Sequence, residues 1–155
     1  MINPFFKNNG PLKVSEILKL LDITNDETIN DHEVLDIKDL VTSNTKDVTF
    51  YHSNKYKDIA RNTNASFCIT TENLKSELPK NCRPIIVSNV LLSTSKVTAK
   101  FYPSSIKDNF DNSVIDIVKT KFKDKVKFGK NVLIGENVSI GSNCLIGHNS
   151  IIEKN

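Results

Sequence analysis

The sequence predicts two units of different class, an α/β domain over residues 1–108 and the first coils of a parallel β-helix over residues 109–155. In the first unit, strand-like and helix-like segments alternate, which is typical of a small α/β domain with a partly parallel sheet. In the last quarter of the chain, the residues instead repeat with a period of six, which is typical of a solenoid.

The six-residue repeat consists of a bulky apolar residue followed by glycine, at Phe128-Gly129, Ile134-Gly135, Ile140-Gly141 and Ile146-Gly147. A smaller residue stands two positions before each pair, at Val126, Val132, Val138 and Cys144. An α-helix does not explain this pattern, because six residues turn a helix by about 600° and scatter the isoleucines around its axis. We therefore expect the apolar residues to fill the coils and the glycines to take corner conformations that a Cβ would penalise.

The repeat covers residues 120–155, which hold six hexads and make two coils if three hexads form one coil. Solenoids need about three or more repeats and a polar cap. The final Glu153-Lys154-Asn155 lacks the features of such a cap. We therefore expect this chain to be the truncated beginning of a longer protein, with a naturally short product as the alternative.

The elements of the first unit follow from apolar spacing and from capping residues. A helix is predicted over Glu16 to Leu21 with Ser15 as its N-cap, and a loop over Asp22 to Asp31. Strands are predicted at Val34 to Ile37, Val48 to Tyr51, Ala65 to Thr70 and Pro84 to Val87. Further helices are predicted from Asn54 or Lys55 to Ala60, and from the N-cap Asn89 to Phe101, before Tyr102-Pro103.

Composition narrows the class of protein. The chain is 38% hydrophobic and 25% charged, so it can bury a modest core. Its net charge of +3 is too small to indicate nucleic-acid binding.

No segment is apolar enough to span a membrane or to act as a signal peptide, which predicts a cytoplasmic location. Cys68, Cys82 and Cys144 are predicted to be reduced thiols, because they are unevenly spaced and odd in number.

A row of lysines alternates with other residues, at Lys119, Lys121, Lys123, Lys125 and Lys127. In a strand these lysines would share one face, while Phe122 and Val126 would point to the core. Such a face is usually solvated. The functional alternative is a docking surface for an acidic partner, such as a carrier protein or an anionic lipid.

Three segments resemble motifs of one enzyme family. Residues 47–56, which contain Thr49-Phe50 and Lys55-Tyr56, look like its "TF-x-x-N-x-K-Y" element. Residues 65–70 look like its "ASAVIV" strand, and residues 112–116 look like its "PSAVID" entry into the solenoid. With the order of the two units, these motifs resemble the UDP-3-O-(3-hydroxyacyl)glucosamine N-acyltransferases of lipid A biosynthesis. The resemblance implies an N-terminal uridine-binding domain followed by a left-handed β-helix.

The resemblance also implies a uracil clamp. In the family, aromatic residues at the positions of Phe50 and Tyr56 hold the uracil ring, and an asparagine three residues after the phenylalanine reads its edge. Here Ser53 occupies that position and Asn54 follows it, so either the hydroxyl reads the base or the loop shifts by one residue. His52 lies in the same segment and is a candidate phosphate contact.

The chemistry implied by the resemblance is transfer of a 3-hydroxyacyl group from an acyl carrier protein to the 2-amine of UDP-3-O-acylglucosamine. The family works as a homotrimer, without metal or other cofactor, and its catalytic histidine is expected downstream of residue 155. No catalytic residue is therefore predicted within this chain. His148, in Ile146-Gly147-His148-Asn149, only imitates the family's catalytic segment and is predicted to be solvated, as are Asp108 and Asp111.

Two alternatives stay open from the sequence. One is a non-catalytic module that binds a uridine nucleotide or serves assembly. The other is a different acyltransferase with hexapeptide repeats, because hexads alone are shared by many such enzymes.

Overall fold

The computed structural model describes residues 6–24, 32–106 and 109–154. The chain divides into two compact units, Met1–Ile106 and Lys107–Asn155, which are described separately below. We refer to them as the α/β unit and the hexapeptide unit.

The α/β unit is built on a sheet of four parallel strands. Its strands are β1 (Leu12–Lys13), β2 (Glu33–Val34), β3 (Asp36–Ile37), β4 (Asp47–Tyr51), β5 (Phe67–Thr70) and β6 (Arg83–Ile86). Its α-helices are α1 (Val14–Leu20), α2 (Lys57–Ala60) and α3 (Val90–Phe101). Strands β3 to β6 lie side by side in chain order, and β1 pairs with β2 in a separate antiparallel pair. The strands predicted at Val48, Ala65 and Pro84 are thus confirmed, with ends within two residues.

The predicted strand at Val34 to Ile37 is interrupted at Leu35. The chain there leaves the pair with β1 and joins the four-stranded sheet, while the Leu35 amide donates to the carbonyl of Lys46 over 2.7 Å. The predicted N-cap Ser15 is wrong. Helix α1 begins two residues earlier than predicted, at Val14, and its N-cap position is Lys13, without a side-chain cap. Most of the predicted loop from Asp22 to Asp31 lies outside the described residues.

The sheet buries a different apolar cluster on each face, because successive strand residues point to opposite sides. Val48 and Phe50 contribute to the larger cluster, which α1 and α3 complete. Tyr51 and Cys68 contribute to a smaller cluster with Leu40 and Ala60. Burial of each large apolar side chain stabilises the unit by about 1.5–3 kcal/mol. Phe50 and Tyr51 therefore face opposite sides, although they are adjacent in sequence.

Helix α3 confirms the predicted cap, because the Asn89 side-chain oxygen accepts from the Leu92 amide over 3.0 Å. The helix ends where predicted, at Phe101, next to Tyr102-Pro103. The Tyr102 hydroxyl donates to Asp36 over 2.6 Å. Burial and this carboxylate neighbour raise the pKa of Tyr102 to about 12.

The hexapeptide unit is built from two-residue strands. They are β7 (Ile115–Asp116), β8 (Lys127–Phe128), β9 (Leu133–Ile134), β10 (Leu145–Ile146) and β11 (Ile151–Ile152). Strand β8 pairs in parallel with β10, and β9 with β11, at an offset of 18 residues, which is three hexads. Strand β7 instead pairs antiparallel with β9. Phe122, Val126, Val132 and Ile134 are buried in the cluster of this unit, as the apolar repeat predicts.

The corner conformations belong to asparagine rather than to glycine. Four asparagines have a positive φ near 60°, again with a period of six: Asn131, Asn137, Asn143 and Asn149. Asparagine tolerates this left-handed region better than most residues with a Cβ. No glycine has a positive φ, so the expectation that the glycines take the corner angles is wrong. At Gly129 the reason for glycine is space, because a Cβ would lie 2.7 Å from the backbone nitrogen of His148.

Two further expectations for this segment are wrong. Residues 117–119 form a 3₁₀ turn and residues 121–125 form turns, so the lysine row is not a strand with alternating faces. Asp111 is not a solvated charge but is only 8% exposed. It accepts from the amide of Lys154 over 2.7 Å and from the Ser113 hydroxyl over 2.7 Å. Asp108 lies outside the described residues.

Candidate functional site

The α/β unit contains a cavity of about 290 Å³ next to the end of strand β4. Its walls are mostly apolar, and its lining residues are Asp39, Leu40, Val41, Phe50, His52, Tyr56 and Ile59. This volume is close to the lower limit of small-molecule sites, which are typically apolar with a few placed polar groups. The cavity can therefore take a flat ring of modest size.

One wall of the cavity is a row of three rings, which we call the aromatic row and which comprises Phe50, His52 and Tyr56. The Phe50 and His52 ring centroids lie 6.5 Å apart with planes at 27°, and those of His52 and Tyr56 lie 5.4 Å apart at 48°. Phe50 and His52 share a side because they are two residues apart on extended chain. Aromatic rings at 4.5–7 Å interact favourably and present faces on which another ring can stack.

The two aromatic residues predicted for the site are thus brought together at one cavity, whereas the two predicted polar residues are not. Ser53 is the N-cap of a 3₁₀ turn at Asn54–Tyr56, and its hydroxyl accepts from the Lys55 amide over 3.4 Å. Asn54 begins that turn and is exposed. Neither side chain is among those that line the cavity.

The opposite wall is a loop held by Asp39. Its carboxylate accepts from the amides of Val41 and Thr42, over 2.8 and 2.9 Å, and from the Thr42 hydroxyl over 2.7 Å. The hydroxyl of Thr42 and these amides lower the pKa of Asp39, because they stabilise its charged form. The loop places Leu40 and Val41 at the cavity, with Val41 71% exposed at its rim.

Helix α2 supplies Ile59 and is anchored by Glu77. The Glu77 carboxylate lies 2.9 Å from Lys57 Nζ and accepts from Arg61 Nε over 3.0 Å. Lys57 and Arg61 lower the pKa of Glu77. A cluster of ions around one helix end fixes the helix more firmly than a single exposed pair, which contributes little alone.

Sequence reasoning missed the loop residues Asp39, Leu40 and Val41 and the rim residue Ile59. A local signal was present, because an aspartate followed by threonine three residues later is a common side-chain cap of a turn. The signal predicts a turn and does not say what the turn faces. Only the folded sheet brings this loop opposite the aromatic row.

Other candidate groups do not form a second centre. His148 Nδ1 accepts from the Lys130 amide over 2.8 Å, so this exposed histidine links two successive coils. Within residues 6–24, 32–106 and 109–154, no group of three His, Cys, Asp or Glu residues is placed to hold a metal ion. Cys68 and Cys82 are buried as free thiols, and Cys144 is partly buried. In the same described part of the chain, no helix is long and apolar enough to cross a membrane.

Comparison with known proteins finds a separate match for each unit. Residues 31–100 match the family model of UDP-3-O-(3-hydroxymyristoyl) glucosamine N-acyltransferase (LpxD), and this segment contains the whole cavity. Residues 119–154 match the model of the bacterial transferase hexapeptide, six repeats.

A curated relative supports the first match. The chain is 31% identical over 100 residues to the UDP-3-O-acylglucosamine N-acyltransferase of Rickettsia akari (strain Hartford), which covers 63% of this chain. The aligned part spans 29% of the length of that relative. The resemblance predicted from the motifs is therefore confirmed: residues 31–100 are similar to the UDP-3-O-acylglucosamine N-acyltransferases, and residues 119–154 are similar to the bacterial transferase hexapeptide.

Proposed function

We propose that the α/β unit binds the uridine nucleotide of the acyl acceptor, and that the chain serves an N-acyltransferase of lipid A biosynthesis. The observation that carries this proposal is the apolar cavity with Phe50 and Tyr56 in one wall, inside the segment that matches the family. A pyrimidine is flat, and it gains about 1–3 kcal/mol by stacking on an aromatic side chain. The rings of Phe50 and Tyr56 therefore offer the base faces on which it can stack.

The reaction proposed for the whole enzyme transfers a 3-hydroxyacyl group from an acyl carrier protein thioester to the 2-amine of UDP-3-O-acylglucosamine. The amine nitrogen forms an amide bond with the thioester carbonyl carbon, the carbon–sulfur bond breaks, and the carrier thiol leaves. A base takes the amine proton, and hydrogen-bond donors stabilise the oxygen that becomes negative. The proposal assigns acceptor binding to this chain and none of these chemical roles to its residues.

The proposal also includes the architecture implied by the family. We expect the hexapeptide unit to be the start of a left-handed β-helix, the enzyme to be a cytoplasmic homotrimer, and the acyl carrier protein to be its donor. The 18-residue offset between β8 and β10 supports coils of three hexads. Such coils stack through neighbours and extend by repetition.

The test is a titration with UDP, measured by calorimetry. It compares the 155-residue chain with Phe50→Ala and Tyr56→Ala. We expect each substitution to weaken UDP binding by about 5- to 100-fold, which corresponds to the loss of one stacking face. Leu91→Ala is the matched control, because Leu91 is 56% exposed on α3 and does not line the cavity. Circular dichroism verifies that every variant is folded. Unchanged binding in both aromatic variants, or no binding by the wild-type chain, would contradict the proposal.

A further inference from the structure

The aromatic row contains a histidine between the two residues predicted to clamp the base. The position of this histidine leads to a further inference, which rests on the proposed function. Ser53 and Asn54 stand where an asparagine is expected to read the uracil edge, yet neither lines the cavity. The Ser53 hydroxyl is already engaged by the Lys55 amide. The polar contact to the base must therefore come from another side chain of the wall.

The polar side chains that line the cavity are Asp39, His52 and Tyr56. The Asp39 carboxylate is occupied by two amides and a hydroxyl of its own loop. The phenol of Tyr56 is the end of a ring whose face is predicted to stack on the base. Within the described residues, neither ring nitrogen of the exposed His52 has a hydrogen-bond partner in the protein, and its ring lies beside those of Phe50 and Tyr56. A neutral imidazole offers one donor and one acceptor.

We propose that His52, rather than Ser53 or Asn54, supplies the side-chain hydrogen bond to the edge of the uracil ring. Its centroid lies 6.5 Å from that of Phe50 and 5.4 Å from that of Tyr56, so its ring borders a base that stacks on either of these rings. A polar group framed by apolar walls fixes the orientation of a ligand, because an unpaired polar edge of the base would lose its hydration there.

The same geometry argues against a phosphate on His52. Leu40, Val41 and Ile59 line the cavity together with the aromatic rings, no lysine or arginine among the described residues lines it, and the Asp39 carboxylate in its wall repels an anion. A cation stands outside the lining instead, with Lys55 Nζ 5.9 Å from the centre of the Tyr56 ring. We therefore place the base at His52 and leave the diphosphate to the solvent side.

Two substitutions at His52 separate the hydrogen bond from the ring. His52→Phe keeps an aromatic ring and removes both nitrogens, and His52→Gln keeps a donor and an acceptor and removes the ring. We expect His52→Phe to weaken the binding of UDP by about 3- to 10-fold, the effect of one hydrogen bond, and His52→Gln to weaken it less. Ser53→Ala and Asn54→Ala are the matched controls and keep the wild-type affinity.

Titration with uridine decides which part of the ligand His52 contacts. If the imidazole reads the base, His52→Phe weakens uridine and UDP by the same factor, measured by ligand-observed NMR. A loss seen with UDP alone assigns His52 to the phosphates and overturns the inference. So does wild-type affinity in His52→Phe, or a loss in Ser53→Ala or Asn54→Ala.

The outcome for Phe50→Ala keeps the two proposals apart. If Phe50→Ala loses UDP while His52→Phe does not, only the role of His52 is wrong and the nucleotide site stands. If Phe50→Ala, Tyr56→Ala and His52→Phe all bind UDP as the wild-type chain does, both proposals fail.

Discussion

The α/β unit and the hexapeptide unit bury their side chains by different rules. In the α/β unit, the large buried residues Tyr51, Ile69 and Phe101 come from separate elements that meet only in the folded sheet. In the hexapeptide unit, Val132 and Ile134 are buried because each coil lies against the next at a constant offset. A repeat of this kind makes stability a sum of neighbouring contacts, whereas the sheet depends on contacts distant in sequence.

This difference shows in the surroundings of the cavity beside the aromatic row. The constant offset of the hexapeptide unit repeats the same environment, as the four asparagines with positive φ show. The α/β unit instead joins a loop at Asp39, the end of β4 and helix α2 around one volume, and none of these is repeated. Non-repeating structure can therefore place different side chains around one cavity.

The largest loss of stability is expected from a substitution in the core of the α/β unit. Phe101 is fully buried in the larger cluster, so Phe101→Ala should lower the free energy of unfolding of this unit by about 3–5 kcal/mol. Tyrosine fluorescence during urea unfolding measures it, because Tyr51, Tyr56 and Tyr102 all belong to this unit. Leu91→Ala on the same helix should have little effect. Equal effects of the two substitutions would show that the packing of α3 is not as described.

A smaller effect is expected in the hexapeptide unit at Gly135. A Cβ there would overlap the Lys154 amide and the Asp111 carboxylate, and would lie 2.9 Å from the Glu153 carbonyl carbon. Gly135→Ala should destabilise this unit by about 1–3 kcal/mol through overpacking. At Gly141 the nearest atom is Cys144 Sγ at 3.8 Å, so Gly141→Ala is the matched control and should be tolerated.

The measurement for Gly135→Ala combines two probes. Circular dichroism follows both units, whereas tyrosine fluorescence follows the α/β unit. We expect the dichroism transition to shift in Gly135→Ala while the fluorescence midpoint stays in place. A shift of the fluorescence midpoint by the same amount would show that the two units unfold together, in one transition.

The smallest effect is the pH dependence of the hexapeptide unit through Asp111. The Lys154 amide and the Ser113 hydroxyl lower the pKa of Asp111 to about 2. A lowered pKa stabilises the folded state above the ordinary pKa near 3.8, and this contribution is lost as the pH falls through about 2. At pH 6, the melting temperature measured by circular dichroism should be higher for the wild-type chain than for Asp111→Asn. The difference should shrink between pH 4 and pH 2, and one that stays constant over this range would contradict the assignment.

The sequence predicts the two units to different extents, because only the hexapeptide unit is built on a repeat. The hexads alone predict the buried Val126 and Ile134, because a period recorded in sequence is a period in space. They mislead about the corners, since the position of glycine in the repeat does not say whether it is needed for its φ or for space. Gly135 is needed for space, and Asn137 takes the corner angle.

The lysine row shows a second limit. Alternation over Lys119 to Lys127 predicts a strand by itself. In a strand, Ile117 and Phe122 would lie on opposite faces, but in the structure a turn follows Ile117 and both side chains are buried. Burial of these large side chains outweighs the weak local preference for an extended chain. Local pattern therefore loses to packing where a coil begins.

The sequence by itself determined the strands β4 to β6 and the cap of α3, and it predicted the pair Phe50 and Tyr56, which the structure places at one cavity. Those features depend on short-range patterns, such as alternation, caps and a motif within ten residues. The tertiary structure decided which side chains face the aromatic row. It brings Leu40 and Val41 opposite the aromatic row, and it includes the exposed His52 but not Ser53 or Asn54 in the lining of the cavity, because the strand end and the Asp39 loop meet only when the sheet is formed.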